Sequence, residues 1–326
     1  MRLAIVIVSY NVRELLATCL QSVFASLDRS PEVQAEVWVV DNASGDGSAA
    51  MVGEHFPQVK LLASDDNLGF ARGNNAAVRA CGFSTQDAPR ITHHVSPDLV
   101  LLLNPDTEVL GDAIGHMAGF LAEHPRVGGV GAQLQYPDGR FQHGAFGFPG
   151  LLQLWFDFFP PRPRRLLDSR LNGRYPRRCY EQGEPFPIGF GLGAALMIRR
   201  EAIEAVGLLD EGYFMYAEEI DWCWRMQRAG WPFYCVPAAR VVHHGGASAR
   251  QFGEQSYLNL WRSRQRLYGK FYSPLKRRLA FRFVRLGMSA ESRRVRRAAA
   301  RGEISEAELE KRLATFREVA TLHAKR

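Results

Sequence analysis

Short, unbroken apolar runs alternate along this chain with segments of three-to-four periodicity. The run the rest is organised around is Leu99-Val100-Leu101-Leu102-Leu103. Five apolar residues between polar flanks read as a strand buried on both faces of a parallel sheet. The run stops at Asn104-Pro105, where a residue without an N–H ends the ladder, and Asp106 follows, with Glu108 two residues on. Residues 3–8 form a second such run ending at Ser9-Tyr10-Asn11. Residues 36–40 form a third, ending at Asp41-Asn42, and residues 59–62 a fourth ahead of Asn67. Between them Leu15, Leu16, Cys19, Leu20, Val23, Phe24 and Leu27 carry helical spacing, and residues 48–55 and 71–80 read as helices. The alternation predicts an α/β protein with a doubly wound, mostly parallel sheet flanked by helices. Ser9, Tyr10, Asn11, Asp41, Asn42, Asn67 and Asp106 then share the carboxyl rim, where such sheets bind ligands.

Farther on, a helix over 111–123 stopped by Pro125, a glycine-rich strand over 127–134 and a turn at 136–141 are expected. From 142 to 187 the pattern dissolves into Gly, Pro, Arg and aromatic residues. Its apolar part, 151–159, reads either as a segment tucked under the domain or as an acceptor- or membrane-facing loop. Residues 188–199 are rich in small side chains and then strand-like, a floor on which Gly191, Gly193 and Ala194 let a ligand lie close. Residues 214–229 read as a helix closed by Gly230. On it Glu218 and Asp221 share a face, and Arg225 lies one turn past Asp221. An ion pair within the helix accounts for Asp221. Glu219 points elsewhere, and carboxylates hemmed in by aromatic rings are costly unless a cation or a reaction employs them. Two short strands, 233–237 and 240–242, lead into His243-His244-Gly245-Gly246-Ala247-Ser248.

Composition narrows the class. With 326 residues and 46% apolar content, the chain can hold one large α/β domain and an appendage, or two domains. No stretch has the length and apolarity of a membrane span, and the start lacks a signal-peptide pattern. The 5 cysteines show no Cys-x-x-Cys spacing, so a reducing, cytoplasmic setting is expected. The net charge of +7 belongs mainly to the region from Arg262 onward. That region reads as basic amphipathic helix, suited either to an anionic membrane surface or to packing as a solvated cap. Residues 303–323 read as a small amphipathic helix pair.

The rim residues suggest a chemistry. Asp106 beside Glu108 suits a hard divalent cation that escorts a diphosphate, although an Asx-type turn explains the same aspartate. Asp41 can accept from a base N–H or ribose hydroxyls. Gly69 and Gly73 permit close backbone approach, and Arg72 can pair with a phosphate. Neither a Walker A loop nor a G-x-G-x-x-G fingerprint is present, which weakens ATPase and NAD readings.

Seven blocks in register resemble the family 2 glycosyltransferases of GT-A fold, in particular the bacterial rhamnosyltransferase-like branch. They are Ile7-Val8-Ser9-Tyr10-Asn11, Val39-Val40-Asp41-Asn42-Ala43-Ser44, Asn67-Leu68-Gly69-Phe70-Ala71-Arg72-Gly73-Asn74 and Leu103-Asn104-Pro105-Asp106. Gly193-Ala194-Ala195-Leu196-Met197-Ile198-Arg199-Arg200, Phe214-Met215-Tyr216-Ala217-Glu218-Glu219-Ile220-Asp221 and the His243 block complete the set.

The resemblance, which runs from about Leu3 to Ser248, implies a Rossmann-like GT-A domain over 1–250; the residue pattern makes 142–187 an insertion in it and 251–326 a basic helical extension. It implies inverting transfer of a single sugar, rhamnose among the candidates, from a dTDP- or UDP-sugar with Mg²⁺ or Mn²⁺. The acceptor would be a hydroxyl of a cell-surface glycan or a polyprenyl-diphosphate-linked sugar, and the enzyme would be cytoplasmic or peripheral on the inner membrane face.

By position Glu219 resembles the general base, and Asp221 is expected beside it as a second catalytic carboxylate. Ser9, Tyr10, Asn11, Asp41, Asn67, Gly69, Arg72, Asn74 and Asn104 line the donor place, and Gly191, Gly193, Ala194 and Glu218 its floor. The family's Asp-x-Asp element begins here with Asn104, so metal binding falls to Asp106 and His243. The Gln-x-x-Arg-Trp element of processive synthases is missing, which implies single additions. Three rival classes are a silent nucleotide-sugar binder, a sugar nucleotidyltransferase and a nucleic-acid-binding protein acting through the basic tail. The last is unlike this chain in leaving its carboxylates unexplained.

Overall fold

The computed structural model describes residues 1–83, 97–246, 251 and 253–324; Ala247 and Ser248 of the last motif lie outside the described residues. Two compact units are present. The first comprises Met1–Phe148, Tyr175–Phe214 and Glu218–Ser248, and the second Pro149–Arg174, Met215–Ala217 and Ala249–Arg326. The stretch 142–187 is thus shared between them.

The first unit is built on the predicted alternation. Strands β1 (Arg2–Ser9), β2 (Gln34–Asn42), β3 (Lys60–Ser64) and β4 (Leu99–Leu103) are connected in part by helices α1 (Arg13–Leu27), α2 (Ser48–His55) and α3 (Gly69–Ala80). They pair in parallel in the order β3-β2-β1-β4. Successive residues of β4 serve opposite faces: Leu99, Leu101 and Leu103 enter one core, Val100 and Leu102 the other. Burying each such side chain contributes about 1.5–3 kcal/mol, which is why both faces of the run are apolar.

Past β4 come β5 (Thr107–Leu110), α4 (Ala113–Glu123), β6 (Gly129–Gln135), β7 (Phe141–Gln142) and β8 (Ala145–Phe146). Helix α5 (Leu151–Phe158) belongs to the second unit. The chain returns to the first with α6 (Arg177–Glu181), β9 (Phe186–Ile188), β10 (Phe190–Gly191), β11 (Ala195–Arg199), α7 (Arg200–Val206), α8 (Glu218–Arg228) and β12 (Phe233–His243). Strand β11 lies antiparallel between β4 and β6, and β12 runs parallel to β6 and antiparallel to β5.

One consequence shapes the site. Strands β4 and β5 are joined by Asn104, Pro105 and Asp106 alone, yet β11, β6 and β12 stand between them in the sheet. Four strand spacings in a flat sheet measure about 19 Å, whereas that link spans at most about 14 Å. The sheet therefore curls, and the ends of β4, β11 and β12 gather around residues 104–106.

Several expectations need correction. Helix α8 begins at Glu218 rather than at residue 214, because Tyr216 and Ala217 take left-handed backbone angles, φ 72° and 66°. Such angles cost about 1–3 kcal/mol at a residue other than glycine and do not continue a helix. The two strands predicted at 233–242 are one strand with a bulge, since a bulge tolerates Pro237. The helix pair expected near the C-terminus is a single helix.

In the second unit α5 packs with α9 (Glu254–Phe271), α10 (Pro274–Ala300) and α11 (Glu306–Leu322). Phe158 stacks on Trp261 at 5.2 Å, and Gly287 lies directly against the Phe158 ring. Asp157 is bonded to Arg264 at 2.7 Å. Ser273 and Ser305 cap α10 and α11 through bonds to Lys276 N and Glu308 N. Among the described residues no helix is long and apolar enough to cross a membrane.

Candidate active site

The carboxyl ends of β1 and β2 lie side by side, with Ser9 paired to Asp41 in register. Both are buried. Asp41 Oδ2 accepts from Ser44 N at 3.0 Å, while Asp41 Oδ1 and Ser9 Oγ are buried without a hydrogen-bond partner. Buried polar atoms normally find partners, so two adjacent orphans mark a place for a polar ligand. Asn11, at φ 49°, ties the neighbouring loops together: its Oδ1 accepts from Gly45 N at 2.8 Å and its N donates to Ser44 Oγ at 3.0 Å. Tyr10, between Ser9 and Asn11, is half-buried.

The turn into α3 closes the next side. Asn67 Oδ1 accepts from Gly69 N, and Asn42 Nδ2 donates to Gly69 O at 3.2 Å. Gly69 has φ 75°, and a Cβ there would collide with Phe214 O, to which Phe70 N donates. Gly69→Ala is therefore expected to destabilise the fold by more than about 1 kcal/mol, read as a lower urea midpoint. Asn74 turns back to Phe70 O at 2.9 Å, and Arg72 is exposed where it acts on Glu211.

On the far side Asp106, Asn104 and His243 meet. Strand β12 ends with His243 opposite Thr107, which sets its imidazole beside Asp106. His243 Nε2 lies 3.6 Å from Asp106 Oδ1 and 3.5 Å from Asn104 Nδ2. Asp106 and His243 are buried, and His243 Nδ1 has no hydrogen-bond partner. Burial lowers the His243 pKa against the opposing pull of Asp106, favouring the neutral imidazole that metals bind. The loop is braced from behind: Thr107 Oγ1 donates to Asn104 O at 2.7 Å, and Cys19 Sγ lies 3.6 Å from Thr107 Oγ1. Burial pushes the Cys19 thiol up to about 12, so it braces without reacting.

A carboxylate and an imidazole are two ligands for a divalent cation. Among the described residues no cluster of three His, Cys, Asp or Glu side chains is poised for a metal. That donor set fits an ion which takes its remaining oxygens from a phosphate ligand and water, and not a structural cage.

The floor joins the two ends of the site. Asn104 N donates to Ala194 O at 3.0 Å, and the neighbouring Gly193 offers a Cβ position 3.8 Å from Glu219 Cβ and 3.5 Å from Phe70 Cζ. Gly191 brings its backbone within reach of Gly131: a Cβ there would lie 3.3 Å from Gly131 Cα. Glu218 and Glu219 are both buried at the start of α8. Burial pushes the Glu219 carboxyl up to about 7, moderated by its own N–H and that of Ile220. A carboxyl titrating there is suited to accept a proton at neutral pH.

Asp221 is occupied differently. It is fully buried, bonded to Arg225 Nε at 2.6 Å and Tyr213 OH at 3.2 Å. Arg225 reaches on to Val206 O and Leu208 O. The pair pins the turn after α7 to α8 and so orients the helix that carries Glu219. Asn42, expected on the rim without a role of its own, holds the turn at Gly69.

A curled, Rossmann-like sheet with carboxylates and an imidazole gathered on its carboxyl rim is the architecture of a GT-A glycosyltransferase. The mannosyltransferase PcManGT of Pyrobaculum calidifontis, solved with GDP-Man and Mn²⁺, superposes with a TM-score of 0.55 at 17% identity, over 99% of this chain and 84% of that one. GalNAc-T7, solved with UDP, GalNAc and Mn²⁺, gives 0.53 at 16% identity over 74% of this chain, which spans 44% of that structure. Both likenesses concern the fold. In sequence, the N-acetylglucosaminyl-diphospho-decaprenol L-rhamnosyltransferase of Mycobacterium tuberculosis is 31% identical over 232 residues, 69% of this chain and 71% of that protein. The model for "Glycosyl transferase family 2" matches residues 4–207, more than half of the chain. The chain belongs to glycosyl transferase family 2.

Proposed function

We propose that this glycosyltransferase moves a single sugar, rhamnose in our reading, from a dTDP- or UDP-sugar to a hydroxyl of a polyprenyl-diphosphate-linked sugar or related cell-surface glycan, with inversion. Residues 1–250 would do the chemistry, at the inner face of a membrane that presents the acceptor; 142–187 and 251–326 would serve the acceptor and membrane side. The observation that carries the reading is the path Glu219, Gly193, Ala194, Asn104, His243, Asp106. It puts a carboxyl with a pKa near 7 within one floor segment of the Asp106–His243 pair. The relative's printed acceptor, an N-acetylglucosaminyl-diphospho-decaprenol, supports the lipid-linked choice.

In this reading Ser9 Oγ and Asp41 Oδ1 take the nucleoside's polar edge, which satisfies both orphaned atoms. Asp106 and His243 would hold Mg²⁺ or Mn²⁺, the latter being the ion named with both solved neighbours. Such an ion, when bound, offsets charge that develops on a leaving diphosphate. Glu219 takes the acceptor hydroxyl's proton as that oxygen attacks the anomeric carbon opposite the departing diphosphate, so the configuration inverts. Asp221 is a positioning residue in this scheme.

A thermal-shift panel tests donor and metal together. dTDP or UDP with Mn²⁺ should raise the midpoint, by about 2.7 kcal/mol of stabilisation at 100 times the dissociation constant, and each alone should do much less. No shift from any nucleoside diphosphate would remove the transferase site from these residues.

A further inference from the structure

Helix α10 carries a feature that the transferase site does not use. Arg278, Arg282, Arg285, Arg293, Arg296 and Arg297 are all exposed, and none forms an ion pair among the described residues. At 3.6 residues per turn they fall, with Leu275 and Leu286, in one stripe about 120° wide and about 33 Å long. The two leucines are 68% and 52% exposed. No acidic residue lies in the stripe: Glu291, the helix's one carboxylate, sits on another face and pairs with Arg294. The opposite face, with Ala280, Val284 and Met288, is buried, and Gly287 there meets the ring of Phe158. The solvent stripe is therefore not a spare packing face of the second unit. Among the described residues its cations have no intramolecular ion-pair partner, and its leucines leave apolar surface in water, at a free-energy cost.

We propose that this stripe is a docking surface for an anionic lipid bilayer, with α10 lying in the plane of the interface, its arginines on lipid phosphates and Leu275 and Leu286 inserted between acyl chains. Charge complementarity alone would equally suit a nucleic acid. The leucines decide for lipid, because a helix that combines a basic stripe with exposed aliphatic side chains gains in an interface from both, whereas a phosphate backbone rewards the cations only. The proposal rests on the lipid-linked acceptor reading for its purpose but not for its test, since vesicle binding needs neither donor nor acceptor.

The test is co-sedimentation of the full chain with vesicles of phosphatidylcholine alone or with added phosphatidylglycerol, at two salt concentrations. The wild type should partition at least tenfold better onto the anionic vesicles, and less so at high salt. The triple variant Arg278→Gln, Arg285→Gln, Arg296→Gln should lose about a hundredfold, from about fivefold per cation near the surface. The Arg→Lys triple should keep binding, and Leu286→Ser should weaken it several-fold. The nucleoside-diphosphate thermal shift should be unchanged in all of them, which certifies the fold and leaves the donor site to stand or fall by itself. Equal binding to both vesicle types, full binding by the Gln triple, or binding to single-stranded RNA in place of anionic vesicles would each overturn the proposal.

Discussion

Glu219→Gln should lower transfer by about two to four orders of magnitude, the usual worth of a positioned base, while donor binding measured by thermal shift stays near wild type. The pH dependence gives the sharper reading. With the carboxyl pushed up to about 7, kcat/KM of the wild type should rise about tenfold per pH unit below 7 and level off above it. The residual activity of Glu219→Gln should lack that limb.

Stability supplies a control of opposite sign. Because burial raises this pKa above the ordinary glutamate value of 4.5, the folded state binds the proton more tightly than the unfolded chain. Between about 4.5 and 7 the wild type therefore loses stability as pH rises, and above 7 it carries the full cost of a buried charge. Glutamine carries none. The variant should accordingly have the higher unfolding midpoint at pH 8, with the gain gone near pH 4.5. Turnover close to wild type, or a midpoint difference that ignores pH, would take the base assignment away from Glu219.

Asp106→Ala should lower transfer by about 10²–10³ and, unlike the glutamate variant, should also abolish the joint effect of nucleoside diphosphate and Mn²⁺ in thermal shift. The reason is geometric. With Asn104 in place of an acid, Asp106 is the one carboxylate beside His243 Nε2 among the described residues, at 3.6 Å, and one imidazole cannot hold a hard cation without it. His243→Ala should be milder on the same assay. If Asp106→Ala binds Mn²⁺ and donor together as the wild type does, the ion sits elsewhere.

The parts of this molecule that follow from periodicity were legible. Strand β4 read correctly because both its faces are buried, and the helix–strand alternation of the first 80 residues follows from side-chain spacing. The rim of Ser9, Asp41 and Asp106 was legible for the same reason, since strand ends follow once strands are known. What spacing does not encode is what the chain does across long separations. Strand β5 has only four residues and owes its existence to β12, some 130 positions on. The late start of α8 was hidden because nothing in Tyr216-Ala217 announces left-handed angles. The Asp221–Arg225 pair was legible in the spacing, but the bond from Tyr213 and the reach of Arg225 to Val206 O and Leu208 O were not, so its role as a brace emerges only with the fold.

Strand β12 keeps two alignments at once. Up to Val236 it runs in step with β6, and from Arg240 it resumes one position along β6 after three additional residues of its own, before delivering His243 opposite Thr107. Side chains alternate along a strand, so the number of residues in that bend fixes which way the imidazole faces. Adding or removing one would turn it from the carboxylate while leaving every site residue in the sequence. Pro237 and Ala239 are buried in that bend, so its composition is held as well as its count: the bend works as a spacer whose odd length aims the histidine.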